Sequence, residues 1–266
     1  MSEHYYGKPI EVMYSGGKDS DVLLDLFKNS GVEFKLVNHH TTVDAPPTVY
    51  HIREVMAQAE KEGIETLITK PTYKGEPTSM WKLIVDKGFP PTRLVRYCCT
   101  VLKEHYGKNT FIATGVRRDE SSARSSRTSF QRNGYNKATM EKFSDEVMLN
   151  NDNDERRRVN ELCMKRNKMA VNPIIDWTEA DIYEYVHAKG IKLCELYECG
   201  YKRVGCVGCP IARKAGREKE FTDFPAYKNN YIKAFDRMLE ARKEKDLETT
   251  EKWSSGQAVF DWWVNG

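Results

Sequence analysis

The chain has 266 residues, of which 39% are hydrophobic, 30% charged and 11% aromatic, the balance of a soluble globular protein. Its 42 Lys and Arg nearly cancel its 39 Asp and Glu, and a net charge of +3 argues against a protein that coats nucleic acid or a membrane surface by charge alone. No apolar run approaches the ~20 residues that span a bilayer, and Met1 to Lys8 holds no apolar signal core, so a cytoplasmic protein without a membrane partner is expected.

In chain order, the opening reads as strand, loop, helix. Pro9–Tyr14 is a short apolar run, Ser15-Gly16-Gly17-Lys18-Asp19-Ser20 supplies glycines and hydroxyls, and Val22, Leu23, Leu26 and Phe27 then fall at helical spacing. Phe34–Asn38 predicts a second strand, followed by His39, His40, Thr41–Asp44 and the pair Pro46-Pro47; the histidines are read as structural. Thr48–Glu62 predicts a helix with Ile52, Val55, Met56 and Ala59 as its buried stripe, and Ile64–Ile68 and Phe111–Thr114 are further strand candidates. Alternating strands and helices predict an α/β fold with a parallel sheet of five or six strands covered on both faces. From Arg117 to Asn167 the composition turns polar, which predicts an active-site loop and a solvated basic insertion over about 120–168. Met169–Ile175 predicts a strand, Thr178–Asp181 caps a helix that Gly190 ends, and Tyr227 to Leu239 carries an amphipathic helical pattern. The expected organisation is one nucleotide-binding unit over 1–215 and a helical extension over 216–266 packed on it. Phe260, Trp262 and Trp263 are expected to pack back onto the sheet, or alternatively to present a partner or base-stacking patch.

Ser15–Ser20 sits where a strand feeds a helix. Its glycines let the backbone approach a phosphate, the first helical N–H groups point at the anion, and Lys18 adds charge. It lacks the spacing of a Walker A loop. This string resembles the PP-loop of the adenine-nucleotide alpha-hydrolase-like ATP pyrophosphatases. Thr41–Thr48, Thr114–Ser121 and Asn172–Asp181 resemble corresponding segments of the phosphoadenylylsulfate and adenylylsulfate reductase-like proteins within that group. The resemblance runs from about Val12 to Cys209 and is nearest in type to the DNA-phosphorothioation branch. It implies an adenine nucleotide held by Ser15, Gly16, Gly17, Lys18, Asp19, Ser20, Thr41, Gly115, Arg117 and Arg118, with Lys18, Asp44 and Arg117 acting in catalysis. The guanidinium forks of Arg117 and Arg118, directly after a predicted strand, suit phosphate or sulfate oxygens. Arg127, Arg132 and Arg156–Arg158 are read as solvated. Asp44 is read either as a ligand to magnesium beside a triphosphate or as a turn residue before the prolines.

Seven cysteines without a secretion signal argue against a disulfide framework. Cys98-Cys99 and Cys206-Val207-Gly208-Cys209 offer four thiolates in two close pairs, suited to one zinc ion or an iron–sulfur cluster. In the resembling adenylylsulfate reductases and phosphorothioation enzymes, such a pattern implies a four-iron, four-sulfur (4Fe-4S) cluster. Lys103, Lys202 and Arg203 are read as cations offsetting the cluster or as exposed residues. Cys163, Cys194 and Cys199 are read mainly as small buried residues, although a redox or sulfur-carrying thiol among them stays open.

The resemblance implies two reactions. In one, the PP-loop cleaves ATP, an acceptor such as a nucleic acid is adenylated, and sulfur from a donor protein or thiol displaces AMP. In the other, a thiolate attacks a sulfonucleotide such as adenylylsulfate and a thiol reductant completes the cycle. The reductases carry that nucleophile in a Glu-Cys-Gly segment beyond the cluster cysteines, whereas here Glu198-Cys199-Gly200 precedes them and no cysteine follows Cys209. A third reading is a non-catalytic, metal-stabilised binding module of a phage or mobile-element system.

Overall fold

The structure, a computed structural model, describes residue 2 and residues 7–103, 110–121, 124, 125, 127–133, 168–245, 247 and 253–265. Cys163, Arg156–Arg158 and most of the expected insertion lie outside the described residues. The chain divides into two compact units: Met1–Asn38, Pro47–Ile68 and Tyr106–Val204 form one, and His39–Pro46, Thr69–His105 and Gly205–Gly266 the other. This division differs from the boundary expected at residue 215. Two segments that follow the second and third strands join the C-terminal helices, so neither unit is continuous in sequence.

The first unit is built on a sheet. In chain order it contains β1 (Ile10–Met13), α1 (Lys18–Asn29), β2 (Phe34–His39), α2 (Pro46–Lys61) and β3 (Glu65–Thr69). The second unit's β4 (Thr72–Tyr73), β5 (Glu76–Pro77), α3 (Met80–Lys87) and α4 (Tyr97–Leu102) intervene before the first unit resumes with β6 (Phe111–Ala113), β7 (Phe130–Asn133), β8 (Lys168–Val171) and α5 (Glu179–Lys189). The strand order is β3-β2-β1-β6-β8-β7. β1 pairs in parallel with β2 and β6, and β6 with β8, while β7 runs antiparallel along the edge. The antiparallel edge was not legible in the polar stretch that contains it. Residues Phe34, Leu36, Val37 and Asn38 of β2 are all buried, as a strand covered on both faces requires.

α1 is buried on two sides. Leu23, Leu24 and Phe27 join Val12, Leu36, Ile52 and Met56 in one core cluster, while Val22 joins Ile174, Ile182 and Val186 in another. The strand expected over Met169–Ile175 stops at Val171. Asn172, fully buried, leaves the ladder: its backbone N–H donates to Ser129 O (2.7 Å), its side-chain amide donates to Thr128 O (2.9 Å), and its Oδ1 accepts from Thr114 Oγ1 (2.5 Å). α5 starts and stops as its sequence dictates. Thr178 and Asp181 form a reciprocal capping box, and Gly190 closes the helix at φ +62°.

The second unit holds the β4–β5 hairpin, α3, α4, α6 (Lys214–Asp223), α7 (Pro225–Glu244) and α8 (Gly256–Asn265). Its core is aromatic. Trp263 packs on Tyr231 (4.7 Å between centroids) and Phe235 (5.5 Å), and Phe260 packs on Phe221 (5.0 Å). Trp263 Nε1 donates to Pro91 O at 2.6 Å, which satisfies the one polar atom of a buried indole. Phe260 and Trp263 thus pack against helices of their own unit, their spacing of three placing both on one face of α8. Among the described residues, no helix is long and apolar enough to cross a membrane.

Candidate functional site

In the first unit the turn between β1 and α1 is held from several directions. Gly16 has φ +74°, and a Cβ there would lie 2.7 Å from Ile52 Cγ1 and 3.3 Å from Thr48 Cγ2, so α2 forms a floor that admits only glycine. Ser20 works inside the turn: its hydroxyl donates to Gly17 O (2.7 Å) and accepts from Gly17 N (3.0 Å) and Ser15 N (3.3 Å). The Ser20 hydroxyl thus shapes the loop from within.

Beneath the loop lies a buried polar network. Tyr14 Oη donates to Asp21 Oδ1 at 2.5 Å, and His51 Nε2 sits 3.1 and 3.2 Å from the two Asp21 oxygens. All three side chains are buried. Burial raises the pKa of Asp21 against the opposing pull of His51 and Tyr14, and burial together with Asp21 raises that of Tyr14. Tyr14 is also fixed by its backbone, whose carbonyl accepts from Asn38 Nδ2 (2.8 Å) and whose N–H donates to Val37 O (2.8 Å). Asp21 thus ties the residue before the loop to the first turn of α1 and to α2. Sequence inspection did not single out this network. Its signal was an aspartate beside Val22 and Leu23, on a helix whose neighbouring positions are core.

Lys18 is only 5% exposed. Its ammonium lies 3.6 Å from Asp19 and from Glu179, 3.5 Å from the Lys202 carbonyl, and over the rings of Tyr197 (5.7 Å) and Tyr183 (5.9 Å). Its backbone N–H donates to Tyr197 Oη at 3.0 Å. Arg117, also buried, turns inward: Nε pairs with Asp19 at 2.6 Å, and Nη1 reaches Asp119 (3.4 Å) and the Trp177 carbonyl (3.3 Å). Burial opposes its charge, but Asp19, Glu120 and Asp119 outweigh it and raise its pKa. Arg118 pairs with Asp176 and donates to Arg127 O (2.9 Å). Gly115 is needed for close approach, since a Cβ there would sit 2.9 Å from the Asp19 carbonyl oxygen. The structure therefore brings Ser15–Ser20, Gly115, Arg117 and Arg118 together in one unit, with Arg117 acting on the loop through Asp19. Thr41 and Asp44, expected beside the nucleotide, belong to the other unit.

That second unit gathers the cysteines. Cys98 and Cys99 lie on α4; Cys206 and Cys209 lie on the turn that follows Gly205. Val207 N donates to Val43 O at 2.8 Å, and Asp44 forms a backbone bridge with Cys206. Gly208 (φ +73°) leaves no room for a Cβ, which would meet Phe221 Cζ at 2.6 Å, and its N–H donates to Glu220 (2.7 Å). Cys98 hydrogen-bonds Cys99, and that bond, burial and the charges of Cys99, Cys206 and Cys209 drive its thiol pKa up. Cys206 is pushed up to about 12, by burial first; Lys103 and a hydrogen bond from Thr41 pull the other way, and Asp44 adds to the rise. Lys103 is raised, chiefly by Cys206 and further by Asp44, Cys209 and Cys99. The four predicted thiols are thus electrostatic neighbours, with Lys103, Asp44 and Thr41 among them. Among the described residues, however, no group of three or more His, Cys, Asp or Glu is arranged to hold a metal ion. Of the remaining cysteines, Cys194 is buried, with Sγ 3.9 Å from Thr48 Oγ1, and Cys199 is exposed on the turn after Tyr197. His39 Nδ1 bonds Thr69 Oγ1 at 2.7 Å.

Residues 9–212 match the phosphoadenosine phosphosulfate reductase domain. The chain belongs to this family. Relatives of the domain include an uncharacterized protein of Methanocaldococcus jannaschii, 25% identical over 228 residues, covering 82% of this chain and 39% of that protein. The adenosine 5'-phosphosulfate reductase of Neisseria meningitidis serogroup A is 38% identical over 47 residues, 18% of this chain and 19% of that one. Sulfate adenylyltransferase subunit 2 of Shewanella frigidimarina is 28% identical over 210 residues, 72% of this chain and 61% of that one. The chain spans 39% and 47% of the length of the two Methanocaldococcus relatives that it matches. Membership of the phosphoadenosine phosphosulfate reductase domain family supports an enzyme in a general sense.

Proposed function

We propose that this chain is a nucleotide-dependent sulfur-transfer enzyme that seats the phosphates of ATP on the Ser15–Ser20 loop. The observation that carries the reading is the loop itself: a glycine-defined turn opening α1, with a buried Lys18 and a backbone fixed by Ser20, in a domain of the phosphoadenosine phosphosulfate reductase family. In this reading an acceptor oxygen attacks the α-phosphorus, the bond to the bridging oxygen breaks, and pyrophosphate leaves with that oxygen. A sulfur nucleophile from a donor protein or thiol then displaces AMP, and a nucleic acid is the proposed acceptor. The chain's part is mostly placement and charge. Helix N–H groups and Lys18 stabilise the phosphates, and Arg117 holds Asp19 and so the first turn of α1. Magnesium is proposed to accompany the triphosphate.

Although their described positions do not form a metal-holding group, Cys98, Cys99, Cys206 and Cys209 are proposed to converge on a four-iron, four-sulfur cluster, with zinc as the alternative. An all-sulfur donor set suits both, and Lys103 supplies a neighbouring cation to offset thiolate charge. Such a cluster would supply redox capacity or a soft anchor for sulfur.

A second reading, a sulfonucleotide reductase, is favoured by the likeness to the Neisseria adenosine 5'-phosphosulfate reductase and by one exposed thiol, Cys199, in the unit that holds the loop. The two are separated by anaerobically purified protein. Pyrophosphate release from ATP supports the first, and sulfite release from adenylylsulfate with a dithiol, abolished by Cys199→Ser, supports the second. Iron and acid-labile sulfide content tests the cluster. Absence of both activities, with zinc in place of iron, would favour the binding module.

A further inference from the structure

Lys18 N–H opens α1 and belongs to the set of donors that a helix start presents to an anion. In the structure it is already engaged, by the hydroxyl of Tyr197, a residue 179 positions away in sequence. Tyr197 lies on the short 3-10 turn Glu195–Tyr197, and the segment after it folds over the loop. The nearest atoms to a Cβ at Gly17 would be Tyr197 Oη and Val204 Cγ2, both at 3.5 Å. The ring also stands over the Lys18 ammonium. The hydroxyl therefore sits beside the loop's backbone donors and next to its cation, where a phosphate oxygen would be drawn.

A phenol hydroxyl accepts and donates. Tyr197 accepts from Lys18 N–H, and among the described residues nothing accepts the proton it carries. That proton lies beside the Lys18 ammonium and the Gly17 backbone, within reach of an anion seated on the loop. We infer that Tyr197 is a phosphate-binding residue: its oxygen holds the Lys18 amide and its proton is donated to a non-bridging oxygen of the nucleotide's phosphate chain. Glu179, whose side chain is 54% exposed, is the carboxylate that yields as the anion takes its share of Lys18. This rests on the nucleotide reading above and extends it to a residue outside the loop. The burial that raises the phenol's pKa keeps the proton in place for donation.

The test is calorimetric titration of the full chain and of Tyr197→Phe with magnesium pyrophosphate, magnesium ATP and adenosine. Phenylalanine keeps the ring over Lys18 and removes only the hydroxyl; a thermal melt confirms that the variant is folded. Loss of a hydrogen bond to a charged group predicts pyrophosphate and ATP binding weaker by about 10- to 100-fold, with adenosine binding unchanged. Equal or tighter binding of pyrophosphate by Tyr197→Phe would overturn the inference, leaving the hydroxyl as a cap on Lys18 alone. Should the unaltered chain bind neither pyrophosphate nor ATP, the nucleotide reading itself fails, a separate result.

Discussion

Replacing Gly16 by alanine tests whether the loop is shaped by its floor. Two independent costs follow from the geometry. A residue with a Cβ at φ +74° pays about 1–2 kcal/mol for the left-handed conformation. The new methyl would stand 2.7 Å from Ile52 Cγ1, in a core cluster where Ile52 is 5% exposed, and such overpacking costs about 1–3 kcal/mol. The sum is about 2–5 kcal/mol. With a urea slope near 3 kcal/mol/M, the denaturation midpoint falls by about 0.7–1.7 M. A cycle with Ile52→Ala separates the costs. The Ile52→Ala change alone removes core packing at about 2–5 kcal/mol, but in the Gly16→Ala background it also vacates the space the methyl needs. The double variant should therefore lose about 1–3 kcal/mol less than the sum of the single losses, while the backbone cost persists. Equilibrium unfolding followed by circular dichroism measures all four proteins. A Gly16→Ala loss below about 0.5 kcal/mol, or strictly additive losses, would refute the claim that α2 dictates glycine at this turn.

Asp21→Asn keeps an oxygen for Tyr14 and removes a buried charge. The folded-state pKa of Asp21 is raised above its ordinary 3.8, so the carboxyl favours the folded state below that pH and loses this contribution as pH rises through the raised value. The melting temperature of Asp21→Asn relative to the unaltered protein should accordingly improve from pH 4 to pH 7, and a relative decline would contradict the assignment. Arg117→Lys keeps the charge but forfeits the fork to Asp19, Asp119 and the Trp177 carbonyl; a loss of about 1.5–3 kcal/mol is expected in urea unfolding, together with weaker pyrophosphate binding. Native alkylation with iodoacetamide, mapped by peptide mass spectrometry, should modify exposed Cys199 at least about tenfold faster than buried Cys98 and Cys194. Comparable rates would place those thiols in solvent.

Much of the sheet unit was legible because its signals are local. The apolar run before Ser15, the glycines, and the stripe Val22, Leu23, Phe27 encode strand, turn and helix within some twenty residues, and Thr178 with Asp181 writes a helix start in four. The edge strand Phe130–Asn133 was not legible, since an edge needs no continuous apolar pattern. The buried network of Tyr14, Asp21 and His51 was hidden for a related reason: a polar residue at a core position announces itself only when its partners are known.

The sequence by itself determined the family, the strand–turn–helix form of the Ser15–Ser20 segment and the pairing of cysteines into two close sets, because dihedral preference, helix phase and residue spacing are properties of neighbouring residues. Tertiary structure alone decided that Arg117 faces Asp19, that Tyr197 holds the Lys18 amide, and that Thr41 and Asp44 stand with the cysteines in the second unit. Those contacts depend on strand order and on which segments leave the sheet. Packing of the whole chain fixes that order, and no short stretch of it carries the instruction.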